Sequence, residues 1–271
     1  MKDLFDLTGK VAVVTGGNGI LGRSMCAGLC DKGAKVAMLG RKKESGEQVA
    51  AEIRANGGDV SFFVTDVLNI EQLKLVKTEI LAKYGHIDIL VNAAGGNMPG
   101  ASVQQNQSLF DVDMDAIRTV IELNYFGTLY PIRVFAEEMV KQGHGNIINI
   151  TSATAERPLT RVLGYSSAKA AVKNLTEWLA VEFSQKYGEN FRVNALTPGF
   201  FLTEQNRFLL TNQDGSMTPR GSLILQGTPM NRMGRSEDLQ GALIYLASDA
   251  SRFVTGTTSI VDGGFNAFSG V

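Results

Sequence analysis

The sequence of 271 residues lacks the features that mark several classes of protein. Its 26 basic residues are balanced by 27 acidic ones, so there is no surplus of positive charge to attract nucleic acid or an anionic membrane surface. No apolar run approaches the roughly 20 residues that cross a bilayer, and Asp3 and Asp6 near the start do not resemble a secretory signal. We therefore expect a cytoplasmic protein with no nucleic-acid or membrane partner.

Metal-ligating residues are also scarce. Cys26 and Cys30 lie four apart, and His86 and His144 are far from them in the sequence, which is not the spacing of a zinc site. Both cysteines are expected to fill the core of a helix, the ordinary role of a free cysteine. The sequence predicts no metal.

What the sequence does contain is a regular alternation of short apolar runs with amphipathic segments. Strands are predicted at residues 10–15, 35–39, 60–64, 87–92, 146–150, 192–196 and 259–261. Helices are predicted after residue 20, at 43–55, 70–84, 115–141 and 165–186, and from residue 236. Apolar strands that alternate with helices indicate an α/β fold, a Rossmann-type doubly wound parallel sheet with helices on both faces. We expect a single domain over residues 1–271.

Two connections are too long to be simple links. They run from about 95 to 113 and from about 200 to 235, and each follows the carboxyl end of a predicted strand. Ligands bind at that edge in open α/β sheets, so the second connection is predicted to be a substrate loop or lid.

A glycine-rich loop, TGGNGILG, follows the first predicted strand. Gly17, Gly19 and Gly22 match the general G-x-G-x-x-G pattern of dinucleotide sites. Because a helix follows, its free N–H groups and dipole can bind a pyrophosphate. Other nucleotide binders and methyl-donor enzymes use the same loop, so the pattern alone leaves the ligand open.

The later motifs decide among these alternatives through their order along the chain. They are Asn92-Ala93-Ala94-Gly95, Asn124, Ser152, Tyr165-x-x-x-Lys169, Pro198-Gly199, Thr203 and Asp262-Gly263-Gly264. This series resembles the short-chain dehydrogenase/reductase family over essentially the whole chain. The family's loop reads Thr-Gly-x-x-x-Gly-x-Gly, so Ile20 stands where the family has its middle glycine, and Gly19 is expected to allow the close approach of phosphate.

Tyr165 and Lys169 are one helical turn apart and so share a face. An ammonium group beside a phenol favours the phenolate, which predicts a lowered pKa for Tyr165. The resemblance implies that Tyr165 exchanges a proton with the substrate oxygen and that Ser152 holds this oxygen. It also implies that Lys169 binds the nicotinamide ribose and that Asn124 completes a proton relay.

The resemblance implies a nicotinamide cofactor. Gly40 stands where an acid that selects NAD is expected, and Arg41 can pair with a 2′-phosphate, so NADP(H) is predicted. NAD(H) serves equally well if Arg41 and Lys42 only solvate a turn. The predicted cofactor residues are Gly16, Asn18, Gly19, Ile20, Leu21, Arg41, Asp66, Val67, Asn92, Ala93, Gly95, Tyr165, Lys169, Pro198, Gly199, Phe201 and Thr203.

The predicted substrate walls are rich in amide and guanidinium groups. Such groups suit hydroxyls and a carboxylate, because burying them unpaired beside an apolar ligand is costly. The residues are Asn97, Arg157, Arg161, Gln205, Asn206 and Arg207.

The stretches NAAGGNMPGA, ERPLTR, GFFLTEQNR and GGFNAFSGV resemble one bacterial branch of the family. These are sugar-acid reductases of the D-mannonate oxidoreductase (fructuronate reductase) type, which implies interconversion of D-fructuronate and D-mannonate. A gluconate 5-dehydrogenase-like activity and 3-oxoacyl-carrier-protein reduction are the alternatives within the family. A nucleotide-sensing binding protein without turnover is the alternative outside enzymes.

Two segments carry more apolar surface than one core needs. Residues 117–139 are apolar nearly all round, and the Tyr165 segment carries Trp178 and Val181 away from its core stripe. We predict a homo-oligomer through these two helices, and the resemblance implies a homotetramer.

Overall fold

The computed structural model describes residues 3–104, 106–203, 207 and 210–270. Within these ranges seven parallel strands form one sheet in the order β3-β2-β1-β4-β5-β6-β7. The strands are β1 (Val11–Thr15), β2 (Lys35–Gly40), β3 (Asp59–Val64), β4 (Ile89–Asn92), β5 (Gly145–Ile150), β6 (Phe191–Pro198) and β7 (Thr258–Val261). The predicted doubly wound parallel sheet is confirmed.

Helices cover both faces of this sheet. They are α1 (Ile20–Asp31), α2 (Lys43–Ala55), α3 (Ile70–Tyr84), α4 (Met114–Ile121), α5 (Gly127–Gln142), α6 (Ala153–Glu156), α7 (Leu163–Tyr187), α8 (Pro219–Gln226) and α9 (Gln240–Ala247). Successive residues of β1 point to opposite faces. Val14 packs in a core with α1, α2 and α9, whereas Val13 packs in a second core with α3, α5 and α7. Burial on both faces explains why the strands are apolar throughout.

The long helix predicted at 115–141 is in fact three pieces. Between α4 and α5 lies a π-helical turn, Glu122–Phe126, with Asn124 at its centre. A π turn adds one residue to a helical turn and is frequent at functional sites. The helical period of the sequence does not reveal this local widening.

The two long connections contain short elements of their own. Pro99–Ala101 and Leu109–Asp111 are 3₁₀ turns in the first, and α8 lies in the second. Among the helices in the described part of the chain, none has the length and apolar character needed to cross a bilayer.

The strand order changes direction between β1 and β4, and this is where an open α/β sheet forms its ligand crevice. Thr15, the last residue of β1, is completely buried there. Its Oγ1 accepts hydrogen bonds from the N–H groups of Ala93 and Ala94, each at 3.1 Å. Thr15 thus fixes the start of the loop after β4 against the glycine loop.

Candidate active site

The glycine loop leaves the start of α1 open to a ligand. Gly19 is the N-cap residue and supplies no side chain, so the first N–H groups of the helix remain available to an anion. Gly16 has φ +63°, and a Cβ there would lie 2.8 Å from Ala94 Cα. A Cβ on Gly22 would collide with the carbonyl oxygen of Gly16. These two glycines are therefore required by the fold itself.

Gly19 has a different environment. It is exposed, and a Cβ there would meet only the carbonyl oxygen of Gly16, at 3.3 Å. Ile20 is the first residue of α1 and is half-buried. This geometry supports the expectation that Gly19, and not residue 20, gives the close approach to a phosphate.

The end of β2 has no acidic side chain. Gly40 is buried, and the carboxamide oxygen of Asn18 occupies the position that a Cβ of residue 40 would take. Asn18 Nδ2 also donates to Ser45 Oγ at 3.1 Å. Arg41 follows Gly40 and is exposed. An acid at position 40 would displace Asn18, whereas Arg41 can reach an anion beside the loop.

Asn124 is completely buried, and its carboxamide bonds to the backbone of the loop after β4. Nδ2 donates to Gly96 O at 2.7 Å and to Val120 O at 2.8 Å, and Oδ1 accepts from Gly96 N at 3.1 Å. A Cβ on Gly95 would lie 2.6 Å from Asn124 Oδ1 and 3.2 Å from Lys169 Nζ. Asn124 therefore holds the loop, and Gly95 leaves room between Asn124 and Lys169.

Tyr165, Lys169 and Ser152 come together as predicted. Lys169 Nζ lies 5.7 Å from the centre of the Tyr165 ring. Ser152 is the N-cap residue of α6, and its hydroxyl forms a hydrogen bond with the Tyr165 phenol. Lys169 is 4% exposed and donates to Ile150 O at 2.7 Å. The three side chains thus lie together at the carboxyl-terminal edge of β5.

The predicted pKa of Tyr165 is wrong in direction. Burial raises the pKa of this phenol, and the hydrogen bond from Ser152 offsets only part of the increase. Lys169 directs its proton towards the Ile150 carbonyl, and burial lowers the pKa of its ammonium group to about 8. In this structure the phenol is therefore held in its protonated form.

A chain of buried polar side chains lies beneath the site. Asn92 Nδ2 donates to Asn149 Oδ1 at 2.9 Å, and Asn149 Nδ2 donates to Thr176 Oγ1 at 2.9 Å. Asn92 Oδ1 is buried without a partner among the described residues. Sequence reasoning missed Asn149, Thr176 and the hydroxyl of Thr15. A polar residue inside the apolar strand GNIINI was the available signal for Asn149.

Other predicted cofactor residues lie at the same edge. Gly199 directly follows β6, and its N–H donates to Val261 O at 2.9 Å. Phe201 is buried and pairs with Gly234 in an isolated bridge, while Thr203 is half-buried. After β3, Asp66 Oδ1 accepts from Leu68 N at 3.0 Å, and Val67 is buried. Ala93 directly follows β4, and Pro198 is the last residue of β6. Leu21, in the first turn of α1, packs against the core on that side of the sheet.

Five of the six predicted substrate residues fall into three groups. Asn97 Nδ2 donates to Ser102 Oγ at 2.9 Å, and its Oδ1 is buried without a partner in the described ranges. Arg161 and Arg207 lie on the loops of this edge, half-buried and exposed respectively. Gln205 and Asn206 fall outside the described residues.

Arg157 requires a correction. Its guanidinium group donates to the carbonyl oxygens of Phe268 at 3.1 Å and of Asn266, so it binds the chain's own C-terminal tail. The ring of Phe265 packs on Phe200, with 5.0 Å between ring centres. Arg157 therefore binds the C-terminal tail and is not a substrate residue. The tail packs against its own subunit.

Comparison with known proteins decides the family. The sequence model of the family described as short chain dehydrogenase matches residues 10–214. The chain belongs to this family. An uncharacterized oxidoreductase of Bacillus subtilis, UxuB, is 45% identical over 275 residues, with 98% of each chain covered.

Two solved structures of the short-chain dehydrogenase fold are similar over nearly the whole chain. One is a Haemophilus influenzae protein with bound NAD, provisionally assigned as a D-mannonate oxidoreductase, with 42% identity, TM-score 0.90 and 98% of both chains covered. The other is a gluconate 5-dehydrogenase of Burkholderia cenocepacia with NADP and tartrate, with 33% identity, TM-score 0.86 and 98% of both chains covered. This chain is an NAD(P)-dependent oxidoreductase that acts on CH–OH groups.

The residues of this site fit a nicotinamide dinucleotide. The open N-terminus of α1 and the exposed Gly19 suit a pyrophosphate, because the first N–H groups of the helix are not capped by a side chain. When bound, this cofactor supplies or accepts the hydride.

Proposed function

We propose that the protein interconverts a keto sugar acid and its hydroxy acid, with D-fructuronate and D-mannonate as the favoured pair. The observation that carries the proposal is the grouping of Tyr165, Ser152 and Lys169 at the carboxyl-terminal edge of the sheet. Support comes from the relatives, one provisionally assigned as a D-mannonate oxidoreductase and one a gluconate 5-dehydrogenase holding tartrate, a hydroxy carboxylate.

The proposed roles follow from these contacts. The Tyr165 phenol is protonated at neutral pH and hydrogen-bonds to Ser152, so it is the group placed to donate a proton to the substrate carbonyl oxygen. The neighbouring Ser152 hydroxyl orients that oxygen in a site with little water. Lys169 binds the ribose of the cofactor beside the same phenol. Asn124 holds the loop after β4 through Gly96.

We propose a preference for NADP(H), with NAD(H) as the alternative. Support comes from the missing acid at Gly40, from Asn18 in the space where such an acid would start, and from the exposed Arg41. Charge-assisted hydrogen bonds of this kind contribute roughly 1.5–3 kcal/mol. Arg41→Ala should therefore lower kcat/KM for NADPH by about 10- to 100-fold and leave kcat/KM for NADH almost unchanged. Lys43→Ala is the control and should leave both values almost unchanged. A wild-type preference for NADH contradicts the proposal.

The substrate is tested with a panel of keto acids. Fructuronate, tagaturonate, 5-keto-gluconate and a 3-oxoacyl thioester are assayed with NADPH and NADH. We expect the highest kcat/KM with fructuronate. A clear preference for 5-keto-gluconate or for the thioester assigns the corresponding alternative. Cofactor binding without turnover of any ketone favours a nucleotide-sensing binding protein.

We further propose a cytoplasmic homotetramer of single-domain subunits in which the segment 200–235 covers the substrate. Trp178 and Val181 on α7 are 57% and 58% exposed, and Trp178 borders an open cavity of about 630 Å³ between α7 and the π turn. A second copy of the chain would bury this apolar surface. Light scattering at micromolar concentration should give a tetramer, and Trp178→Glu should give smaller species. A monomeric wild-type protein contradicts the assembly.

A further inference from the structure

The short helix α6 determines where the Ser152 hydroxyl lies. The sheet fixes the chain before this residue, because Thr151 N donates to Leu196 O at 3.0 Å. After it comes α6, which has four residues and is a single turn, with Ser152 as its N-cap residue. One isolated turn of helix is not stable in water, because its nucleation is costly. Contacts with the rest of the molecule must therefore hold α6, and Ser152 with it.

An ion pair joins the last residue of α6 to α7. Lys173 Nζ donates to Glu156 Oε2 at 2.7 Å, and the two side chains are 30% and 17% exposed. The other carboxylate oxygen, Glu156 Oε1, is buried without a partner among the described residues. A carboxylate that has lost most of its water depends on its partner for compensation. Lys173 therefore holds Glu156, and through it the end of α6, against α7.

This pair lies one helical turn beyond the active-site groups on both elements. Glu156 follows Ser152 by four residues, and Lys173 follows Lys169 by four. Residues four apart lie on the same face of a helix. The Ser152–Tyr165 hydrogen bond and the Glu156–Lys173 ion pair thus connect the same two elements, one turn apart.

We propose that Glu156 and Lys173 form a positioning pair that fixes α6 on α7 and thereby sets the Ser152 hydroxyl against the Tyr165 phenol. A reacting group that is misplaced by about 1 Å can lower a rate by about 100-fold, so a pair that limits such movement affects the chemical step. The inference rests on the roles of Tyr165 and Ser152 in the proposed function, but not on which ketone is reduced.

The test removes each partner and measures kcat with the ketone of the panel that is turned over fastest. Glu156→Met and Lys173→Met keep the length of the side chain but cannot form the pair. Each should lower kcat by about 10-fold and change KM for the cofactor by less than about twofold. Glu156→Gln retains an oxygen that accepts from Lys173 and should restore most of kcat. Unchanged kcat in both methionine variants overturns the inference.

Glu137→Met is the matched control. Glu137 Oε2 accepts from Lys77 Nζ at 2.7 Å, so this ion pair also joins two neighbouring helices, α3 and α5. It lies in the second half of α5, which leads to the start of β5, whereas Ser152 follows the end of β5. Its kcat should equal that of wild type. An equal loss in Glu137→Met overturns the inference, because loosening any pair of helices then has the same effect.

A double-mutant cycle tests whether the pair acts through Ser152. Coupled residues give effects that are not additive. Once Ser152→Ala has removed the hydroxyl, Glu156→Met should change kcat by less than about twofold. The full loss in that background overturns the inference, because the pair then acts on the reaction by another route.

A measurement on the phenol separates this inference from the proposed function. Carbon-13 NMR of tyrosine labelled at Cζ, assigned with Tyr165→Phe, gives the ionised fraction of Tyr165 between pH about 10 and 11. The hydrogen bond from Ser152 lowers the pKa of this phenol, so loosening Ser152 should reduce the ionised fraction in both methionine variants. A change in charge alone acts in opposite directions, because one variant loses an anion and the other a cation.

A lower ionised fraction in both variants supports the positioning pair even if no ketone of the panel is reduced. Opposite changes, or none, overturn it even if fructuronate is the preferred substrate.

Discussion

At the amino-terminal edge of the sheet, Asp88 is buried and surrounded by donors. It accepts from Val11 N at 2.8 Å, from His144 Nε2 at 3.0 Å and from Lys10 Nζ at 3.2 Å, and His86 Nε2 lies 3.1 Å away. Burial by itself would raise the pKa of this carboxyl group, but these hydrogen bonds and charges together lower it. The two histidines of the chain thus both contact one carboxylate, although 58 positions separate them.

At the carboxyl-terminal edge the buried groups are not compensated in this way. Lys169 donates to a neutral carbonyl oxygen. Burial lowers the pKa of Lys169 and raises the pKa of Tyr165, so both shifts favour the neutral form of the side chain. In the described part of the chain, Asn92 Oδ1 and Asn97 Oδ1 have no partner. At the amino-terminal edge Asn146 Oδ1 is also buried without a partner among the described residues, so unpartnered amides do not separate the two edges. The difference lies in the charged groups: Asp88 has several donors around it, whereas Lys169 meets only a neutral acceptor. Active sites commonly sacrifice stability for function in this manner.

The largest expected effect comes from removing the phenol at the uncompensated edge. Tyr165→Phe should lower kcat by roughly 100- to 10,000-fold, the usual contribution of a positioned proton donor, while the unfolding free energy changes little. Steady-state assays and urea denaturation of the same preparation measure both quantities.

Tyr84→Phe is the matched control, because burial also raises the pKa of Tyr84 and its hydroxyl bonds to Ser61 Oγ at 2.9 Å. It should retain full activity and lose about 1 kcal/mol of stability. If both variants behave alike, the two edges do not differ in the way described.

Removing the carboxylate at the compensated edge should produce the opposite pattern. Asp88→Asn removes the anion that Lys10, His86 and His144 contact. Because these three partners are more than 40% exposed, the expected loss is about 1.5 kcal/mol, that of a charge-assisted hydrogen bond. The KM and kcat values should be unchanged. Because the folded pKa is lowered, this stabilisation is present above the ordinary carboxyl pKa and is lost as pH falls through the folded value. Urea titrations at pH 7 and at successive pH values below about 4 should therefore show the difference from wild type shrinking as the carboxyl group is protonated.

The features that could be predicted from the sequence are those that depend on local periodicity or spacing. Parallel strands buried on both faces are apolar throughout, and an i, i+4 pair shares a helix face, so the sheet and the Tyr165–Lys169 pair followed directly. It could not predict contacts that depend on tertiary geometry. The bonds of Asn124 to Gly96 require a π turn, and Arg220 reaches Thr160 from 60 positions away. The pKa of Tyr165 was mispredicted because spacing gives proximity to a cation but not the extent of burial.

A further expected effect is a pH dependence that separates the two edges directly. Lys169→Met replaces the ammonium group by a neutral side chain of similar length. Below pH 8 the lysine is protonated in both the folded and unfolded states, so the full cost of burying its charge is present. Between about 8 and its ordinary value of 10.5, the folded protein releases the proton and the unfolded chain retains it. Wild type should therefore gain up to about 3 kcal/mol relative to the variant across this interval.

The hydrogen bond to Ile150 O weakens when the ammonium group loses its proton, and this change is already contained in the folded pKa that sets the slope. Asp88→Asn is the control from the other edge. The Asp88 carboxyl group is ionised in both the folded and the unfolded state above pH 8. The difference in unfolding free energy between Asp88→Asn and wild type should therefore be constant there. Urea denaturation at pH 8, 9 and 10 measures both differences. A flat difference for Lys169→Met would mean that the ammonium group is compensated after all, and the contrast between the two edges would then be confined to Tyr165.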